Sequence, residues 1–137
     1  MARYPIPTVG ALVRGPSGRV LIVRTTKWKG LWGVPGGKVD WGERLEDALR
    51  REFREEVGLA LADVEWALFQ EAIFPPDFYK PMHFLLFNYF AESASEAVVP
   101  NEEIVEWAWV TPREALGYPL NMHTTPLVAR YLEVKGG

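Results

Sequence analysis

Between Arg44 and Val57 the chain places Leu45, Leu49 and Phe53 at intervals of four, and Gly58 follows the last periodic residue. That spacing predicts a helix with one apolar stripe and a glycine stop at its C-terminus. The same stretch carries Glu52, Glu55 and Glu56. At about 100° per residue the three carboxylates fall within an arc of roughly 100°. Glu52 and Glu56 bracket the direction of Leu45 and lie next to Leu49, so the acidic face overlaps the one that must be buried. Such a helix has to lie on a core and still bring three like charges to its edge. Arg51 can pair with Glu55 at i+4, but one guanidinium cannot neutralise three carboxylates, and unpaired desolvated charge is costly. A divalent cation resolves the conflict. Oxygen-only ligands select hard ions, and Mg²⁺ in particular takes one or two carboxylates, keeps waters and draws the rest of its shell from substrate phosphates.

The remaining composition narrows what surrounds that helix. A length of 137 residues, 48% of them hydrophobic, allows one real core, so a single domain over 1–137 is expected. A formal charge of −3 lacks the basic footprint of a nucleic-acid binder, and a small nucleotide rather than a polymer is the expected partner. The absence of cysteine removes disulfides, thiolate metal sites and cysteine nucleophiles together. The start Met1-Ala2-Arg3-Tyr4-Pro5 has no apolar stretch resembling a signal peptide, and no window approaches a membrane span, so the expected location is cytoplasmic.

Along the chain, Thr8 to Arg14 and Val20 to Arg24 read as a hairpin around Gly15-Pro16-Ser17-Gly18. The segment Gly33-Val34-Pro35-Gly36-Gly37 forbids a helix and leaves backbone atoms accessible. Strands are expected over Val64 to Phe74, Met82 to Ala91 and Ile104 to Val110, with the proline-rich Pro75 to Pro81 as a loop over the sheet. Thr111-Pro112-Arg113-Glu114 has the form of a capped helix start, and Thr125-Pro126 repeats it before a terminal helix from Leu127. Strands interrupted by helices at this length predict an α/β sandwich.

An acidic run on a helix, taken alone, is usually a solvated face. Spacing to other residues reverses that reading. Gly37 is followed after five residues by Glu43, and after seven more by Arg51-Glu52-Phe53-Arg54-Glu55-Glu56-Val57-Gly58-Leu59. Residues 37–59 thereby resemble the Nudix box G-x5-E-x7-R-E-U-x-E-E-x-G-U at every fixed position. From average composition, chance agreement of its polar and glycine positions is on the order of 10⁻⁶. The resemblance to the Nudix (MutT-like) hydrolases implies an α/β/α sandwich with a mixed central sheet. It also implies Mg²⁺-dependent hydrolysis of a phosphoanhydride bond in a nucleoside diphosphate linked to another group, with Mn²⁺ as a substitute ion. Metal ligands by resemblance are Glu52, Glu55, Glu56 and the carbonyl of Gly36, while Glu43 and Arg51 are structural. The mechanism implied is attack of metal-activated water. Glu52 is the first candidate for the base that takes its proton, followed by Glu55, Glu102 and Glu103.

Substrate contacts are expected from Trp28, Lys29 and Lys38 beside the glycine loop, and from Phe74 and His83 around the proline-rich segment. Two substrate classes stand level: nucleoside triphosphates, and nucleotide sugars such as ADP-ribose. A non-catalytic nucleotide sensor on the same fold is the alternative, but it would be favoured by loss of one of the glutamates, and none is lost. The resemblance also leaves room for a homodimer.

Overall fold

A computed structural model describes residues 3–136, so Met1, Ala2 and Gly137 of the expected domain lie outside the described residues. In chain order the elements are β1 (Ile6–Arg14), β2 (Val20–Thr25), β3 (Trp32–Gly33), β4 (Gly36–Lys38), α1 (Leu45–Val57), β5 (Leu61–Ile73), β6 (His83–Ser93), β7 (Ile104–Val110), α2 (Pro112–Ala115) and α3 (Thr124–Lys135). One mixed sheet runs β3-β2-β1-β6-β5, with β4 pairing β1 and β7 pairing β2. The β1–β6 pair is parallel and in continuous register from Ile6↔Phe84 to Arg14↔Glu92.

Alternation along the strands builds a core on each face. Ala11 and Val13 of β1 and Leu21 and Val23 of β2 turn to α1, where they meet Ala48, Leu49, Phe53 and Val57. Leu12, Val20 and Ile22 turn the other way, to Ala115 of α2 and Leu127, Val128 and Tyr131 of α3. The layers are therefore α/β/α, the arrangement that the resemblance implies and one consistent with the α/β sandwich read from the order of elements. No helix among the described residues is long and apolar enough to cross a membrane.

The helix stripe Leu45, Leu49, Phe53 lies down as expected, and Gly58 ends α1 at φ 68°, its N–H donating to the Arg54 carbonyl at 3.2 Å. Glu46 and Asp47 in the first turn complement the helix dipole where a side-chain cap is absent. At α2 the capping box is complete: Thr111 Oγ1 accepts from Glu114 N–H at 3.1 Å and Glu114 Oε1 accepts from Thr111 N–H at 2.8 Å.

Two local expectations are corrected. The hairpin turn at residues 15–18 exists, but β1 and β2 pair only at Arg14↔Val20 and then splay. Segment 32–38 fills the fork, with β3 bonded to β2 and β4 bonded to β1. Its short strands outcompete direct pairing because they satisfy the facing backbone edges of both. The second correction concerns α3, which starts one residue before Thr125. Asn121, not Thr125, supplies the cap: its Oδ1 accepts from the N–H groups of His123 and Thr124 at 3.1 and 3.0 Å.

Candidate active site

The fork between β1 and β2 lets α1 approach the backbone of β4. Glu56, only 7% exposed, accepts from Gly36 N–H at 3.0 Å. Ladder bonds on either side of Gly36, Ala11 N–H to Pro35 O and Val39 N–H to Pro7 O, leave its own N–H and C=O pointing away from β1, toward α1. The paired glycines serve this approach rather than a turn. A Cβ on Gly36 would strike the Val9 carbonyl and come within 2.7 Å of Gly10 Cα, whereas one on Gly37 would meet the Glu52 carboxylate, 2.6 Å from Oε1.

Arg51 is the hub of the acidic cluster. It donates to both oxygens of Glu43 at 2.8 and 2.9 Å, to Glu52 at 3.0 Å, to Glu55 at 3.3 Å and to the Lys38 carbonyl at 3.0 Å. The guanidinium holds Glu43 at about 2, well below the usual carboxylate range. Glu52 is pushed up, chiefly by burial, against the opposing pull of Arg51. Glu55 stands at the solvent-exposed rim.

A second element completes the acidic end. Val99 and Asn101 donate their N–H groups to the last carbonyls of α1, those of Val57 and Glu56, both at 2.9 Å. Asn101 Oδ1 then accepts from Glu103 N–H at 3.0 Å, which turns Glu103 back toward the helix. Lys27 reaches Glu103 Oε1 at 2.8 Å and holds its carboxyl below the ordinary value. Burial, followed by the neighbouring Glu52 and Glu103 charges, raises Glu56 to about 8 against the Gly36 hydrogen bond. Among the described residues no three acidic or histidine side chains converge tightly enough to cage an ion unaided. What the site offers is a looser set of hard oxygen donors: the Glu56 carboxylate on the Gly36 N–H, the Glu52 and Glu103 carboxylates near enough for their charges to act on it, and the outward-facing backbone of the glycine loop. The chemistry of that set fits a small divalent cation whose shell is finished by water and phosphate.

Glu56, Glu103, Gly36 and Lys38 form one end of a cavity that continues to Leu127 of α3. Its lining draws on residues from both helix layers, Glu56 of α1 and Leu127 of α3, and on the strands around the filled fork. Its far end is lined by Trp28, Leu31, Phe78, Phe84 and Leu86. Trp28 packs edge-on against Phe78, ring centroids 4.6 Å apart. Asn88, Asn121, His123 and Thr124 are the polar groups at this end. Asn121 Oδ1 is occupied by the α3 N–H groups and by Thr124 Oγ1–H at 2.9 Å, so its amide NH₂ is what remains for a ligand.

Of the expected substrate contacts, the structure brings Trp28 and Lys38 to the cavity and leaves three outside it. Lys29 Nζ is held on the surface by the Pro76 carbonyl at 2.7 Å. Phe74 takes φ 49° at the strand end and turns its ring to solvent. His83, at the first position of β6, has a buried Nε2 without a partner but does not line the cavity. Between the neighbouring candidates Glu102 and Glu103, the Asn101 turn brings Glu103 to the cavity. Lys27, Asn88 and Asn121 were missed, while the loop from Phe74 to Tyr79, expected as a wall of the pocket, does contribute Phe78. Phe78 had a signal as the apolar residue inside a proline-rich loop, whereas the two asparagines owe their place to tertiary pairing.

Residues 5–131 match the family model described as the NUDIX domain. Among curated proteins, the chain is 35% identical over 106 residues to the nucleoside triphosphatase NudI of Salmonella paratyphi B, covering 73% of this chain and 75% of that protein. It is 36% identical over 101 residues to the protein of the same name from Escherichia coli O17:K52:H18, covering 69% and 72%. Among solved structures, the MutT NUDIX hydrolase of Burkholderia pseudomallei superposes with a TM-score of 0.79 at 29% identity, over 93% of this chain and 98% of that one. The NUDIX domain of Shewanella oneidensis NrtR, complexed with ADP ribose, gives 0.79 at 21% identity, over 96% and 89%, a likeness of fold.

Proposed function

We propose that this chain, which belongs to the NUDIX family and is a pyrophosphohydrolase, cleaves nucleoside triphosphates to the monophosphate and pyrophosphate, with Mg²⁺ as its cation. The observation that carries this reading is one continuous cavity with oxygen donors at one end and an apolar, amide-bearing chamber at the other. Such a cavity suits a ligand that is polyanionic at one end and a flat ring at the other. The relatives named as nucleoside triphosphatases favour a triphosphate over a nucleotide sugar such as ADP-ribose.

In this reading Glu52, Glu56 and the Gly36 carbonyl hold the cation, with Glu55 at the exposed rim. A divalent ion bound there would polarise phosphoryl oxygens and make water a better nucleophile. Glu103, which lines the cavity where Glu52 does not, is the base that accepts the proton of the attacking water. Lys38 supports a phosphate at the mouth of the cavity. Trp28 offers its ring to the base at the far end.

Product analysis with nucleoside triphosphates, oxidised triphosphates, dinucleoside polyphosphates and ADP-ribose, with Mg²⁺ and with chelator, tests the reading. Triphosphate turnover that vanishes with chelator is expected. Turnover confined to ADP-ribose or another sugar nucleotide would sink the substrate assignment, and turnover indifferent to chelator would sink the metal. Trp28→Ala is expected to raise KM roughly tenfold with a smaller change in kcat. Unchanged KM with a lowered Tm would make Trp28 a packing residue only.

A further inference from the structure

Behind the cavity wall formed by Asn88 and His123, Gln70 links the two in a relay whose orientation the backbone dictates. Gln70 Nε2 donates to the His123 carbonyl at 2.7 Å and to Asn88 Oδ1 at 3.1 Å. A carbonyl oxygen can only accept, so the Gln70 atom facing His123 has to be the amide nitrogen. The Asn88 atom facing Gln70 must in turn be the oxygen. The consequence is that Asn88, only 8% exposed, turns its NH₂ group away from Gln70, near Gly10 and into the cavity, where it has no protein acceptor among the described residues.

Gln70 reaches this position through an irregularity in its strand. Trp66 pairs with Tyr89, whose side faces the α1 layer, and the register then shifts so that Leu68 pairs with Asn88 and Gln70 with Leu86. Ala67 and Leu68 consequently both pack on the α3 side. The extra residue re-aims everything after it, and without it the period of two would have sent Gln70 to the opposite face. Asn88 itself pairs with Gly10, which pairs on its other side with Gly36. Two strand spacings, about 10 Å, therefore separate the Asn88 backbone from the acidic end.

We propose that Gln70 is a positioning residue for ring selectivity: by locking the Asn88 amide with its NH₂ toward the cavity, it makes the chamber prefer nucleotides whose ring presents an oxo oxygen over those presenting an amino group. Asn121, whose oxygen is likewise occupied, adds a second donor of the same kind. Guanine, uracil and thymine offer acceptor oxygens where adenine and cytosine carry NH₂ donors, and a donor facing a donor leaves both unpaired. The proposal rests on the nucleotide reading of the cavity and sharpens it to a substrate class.

The test compares equilibrium binding of UMP with CMP, and of GMP with AMP, to the full chain, alongside kcat/KM for the corresponding triphosphates. Wild type is expected to favour the oxo ring of each pair roughly tenfold. Gln70→Met keeps length but neither donates nor accepts strongly, so the Asn88 amide is released and the ratio should fall to about one. Gln70→Glu sets an accepting carboxylate against the His123 carbonyl, which also only accepts, so the side chain must leave its place, the Asn88 amide is again released and the ratio should likewise fall to about one. A purely structural Gln70 would weaken both rings of a pair alike and leave the ratio where it was. That result in either variant, with the fold retained by circular dichroism, overturns the proposal, as does a wild type that binds both rings equally. A wild type that binds the oxo rings preferentially yet cleaves no triphosphate would refute the hydrolysis reading and leave this one standing.

Discussion

Glu56→Gln is expected to lower Mg²⁺-dependent kcat roughly 10²–10³-fold while the metal-free protein becomes more stable than wild type at pH 8. The two effects have one origin. Burial raises Glu56 from 4.5 to about 8, so the fold retains a proton that the unfolded chain gives up near 4.5. A folded value above the unfolded one gives stability that is present in full below the unfolded value and lost as pH climbs toward the folded value. Metal-free wild type should therefore lose stability between about pH 5 and pH 8, and Glu56→Gln, which cannot ionise, should not. A divalent cation removes the penalty by replacing the proton, so Mg²⁺ should raise the Tm of wild type more at pH 8 than at pH 6 and should raise that of the variant little. Thermal melts at both pH values, with and without Mg²⁺, together with steady-state kinetics, check the set. Equal turnover in the variant would remove Glu56 from the metal site. A wild-type melting temperature flat from pH 5 to pH 8 would show that its carboxyl is not held neutral by the fold.

The adjacent glycines give the second large contrast. Gly36→Ala directs a methyl group into the backbone of β1, at the Val9 carbonyl and Gly10 Cα, and neither can retreat without breaking the β1–β4 ladder. A loss of about 3 kcal/mol or more is expected, enough to unfold much of a small domain at 37 °C. Gly37→Ala has the Glu52 carboxylate as its nearest neighbour, the far end of a side chain that can swing away. It should fold, with a stability change within about 1 kcal/mol, and lose activity because Glu52 is displaced from its place beside Arg51. Denaturant unfolding and kcat for both variants decide the matter. If both lose stability equally, the backbone approach at Gly36 is not what the glycine provides.

Much of the candidate site's geometry was legible in the chain because its parts are local. Glu52, Glu55 and Glu56 sit on one helix whose phase is fixed by Leu45, Leu49 and Phe53, and a helix carries its side chains wherever its stripe is buried. Their roles differ in space as periodicity alone could not say: Glu56 is interior, Glu52 presses on Gly37 and Glu55 meets solvent. The glycine loop was readable as accessible backbone, but not as the filling of a fork. Turn chemistry at residues 15–18 specifies a reversal and says nothing about how far two strands remain paired beyond it. The ring end was nearly illegible. Asn88 and Gln70 lie on different strands, and their meeting depends on a register shift after Trp66 that no residue announces. The cap of α3 failed for a related reason, since Thr125 carries the right signal locally but Asn121 is anchored by a strand-like contact of its N–H with the Trp32 carbonyl at 2.8 Å.

The splayed strands also divide labour within the molecule. In the proposed reading the bond-breaking groups belong to α1, the glycine loop and the segment around Glu103, whereas the walls around the ring come from Trp28 and Leu31, β6, the 75–81 loop and the start of α3. Few residues serve both. A lineage built on this plan can exchange the molecule it recognises by substitutions in the second set while the first, and with it the reaction, is inherited unchanged.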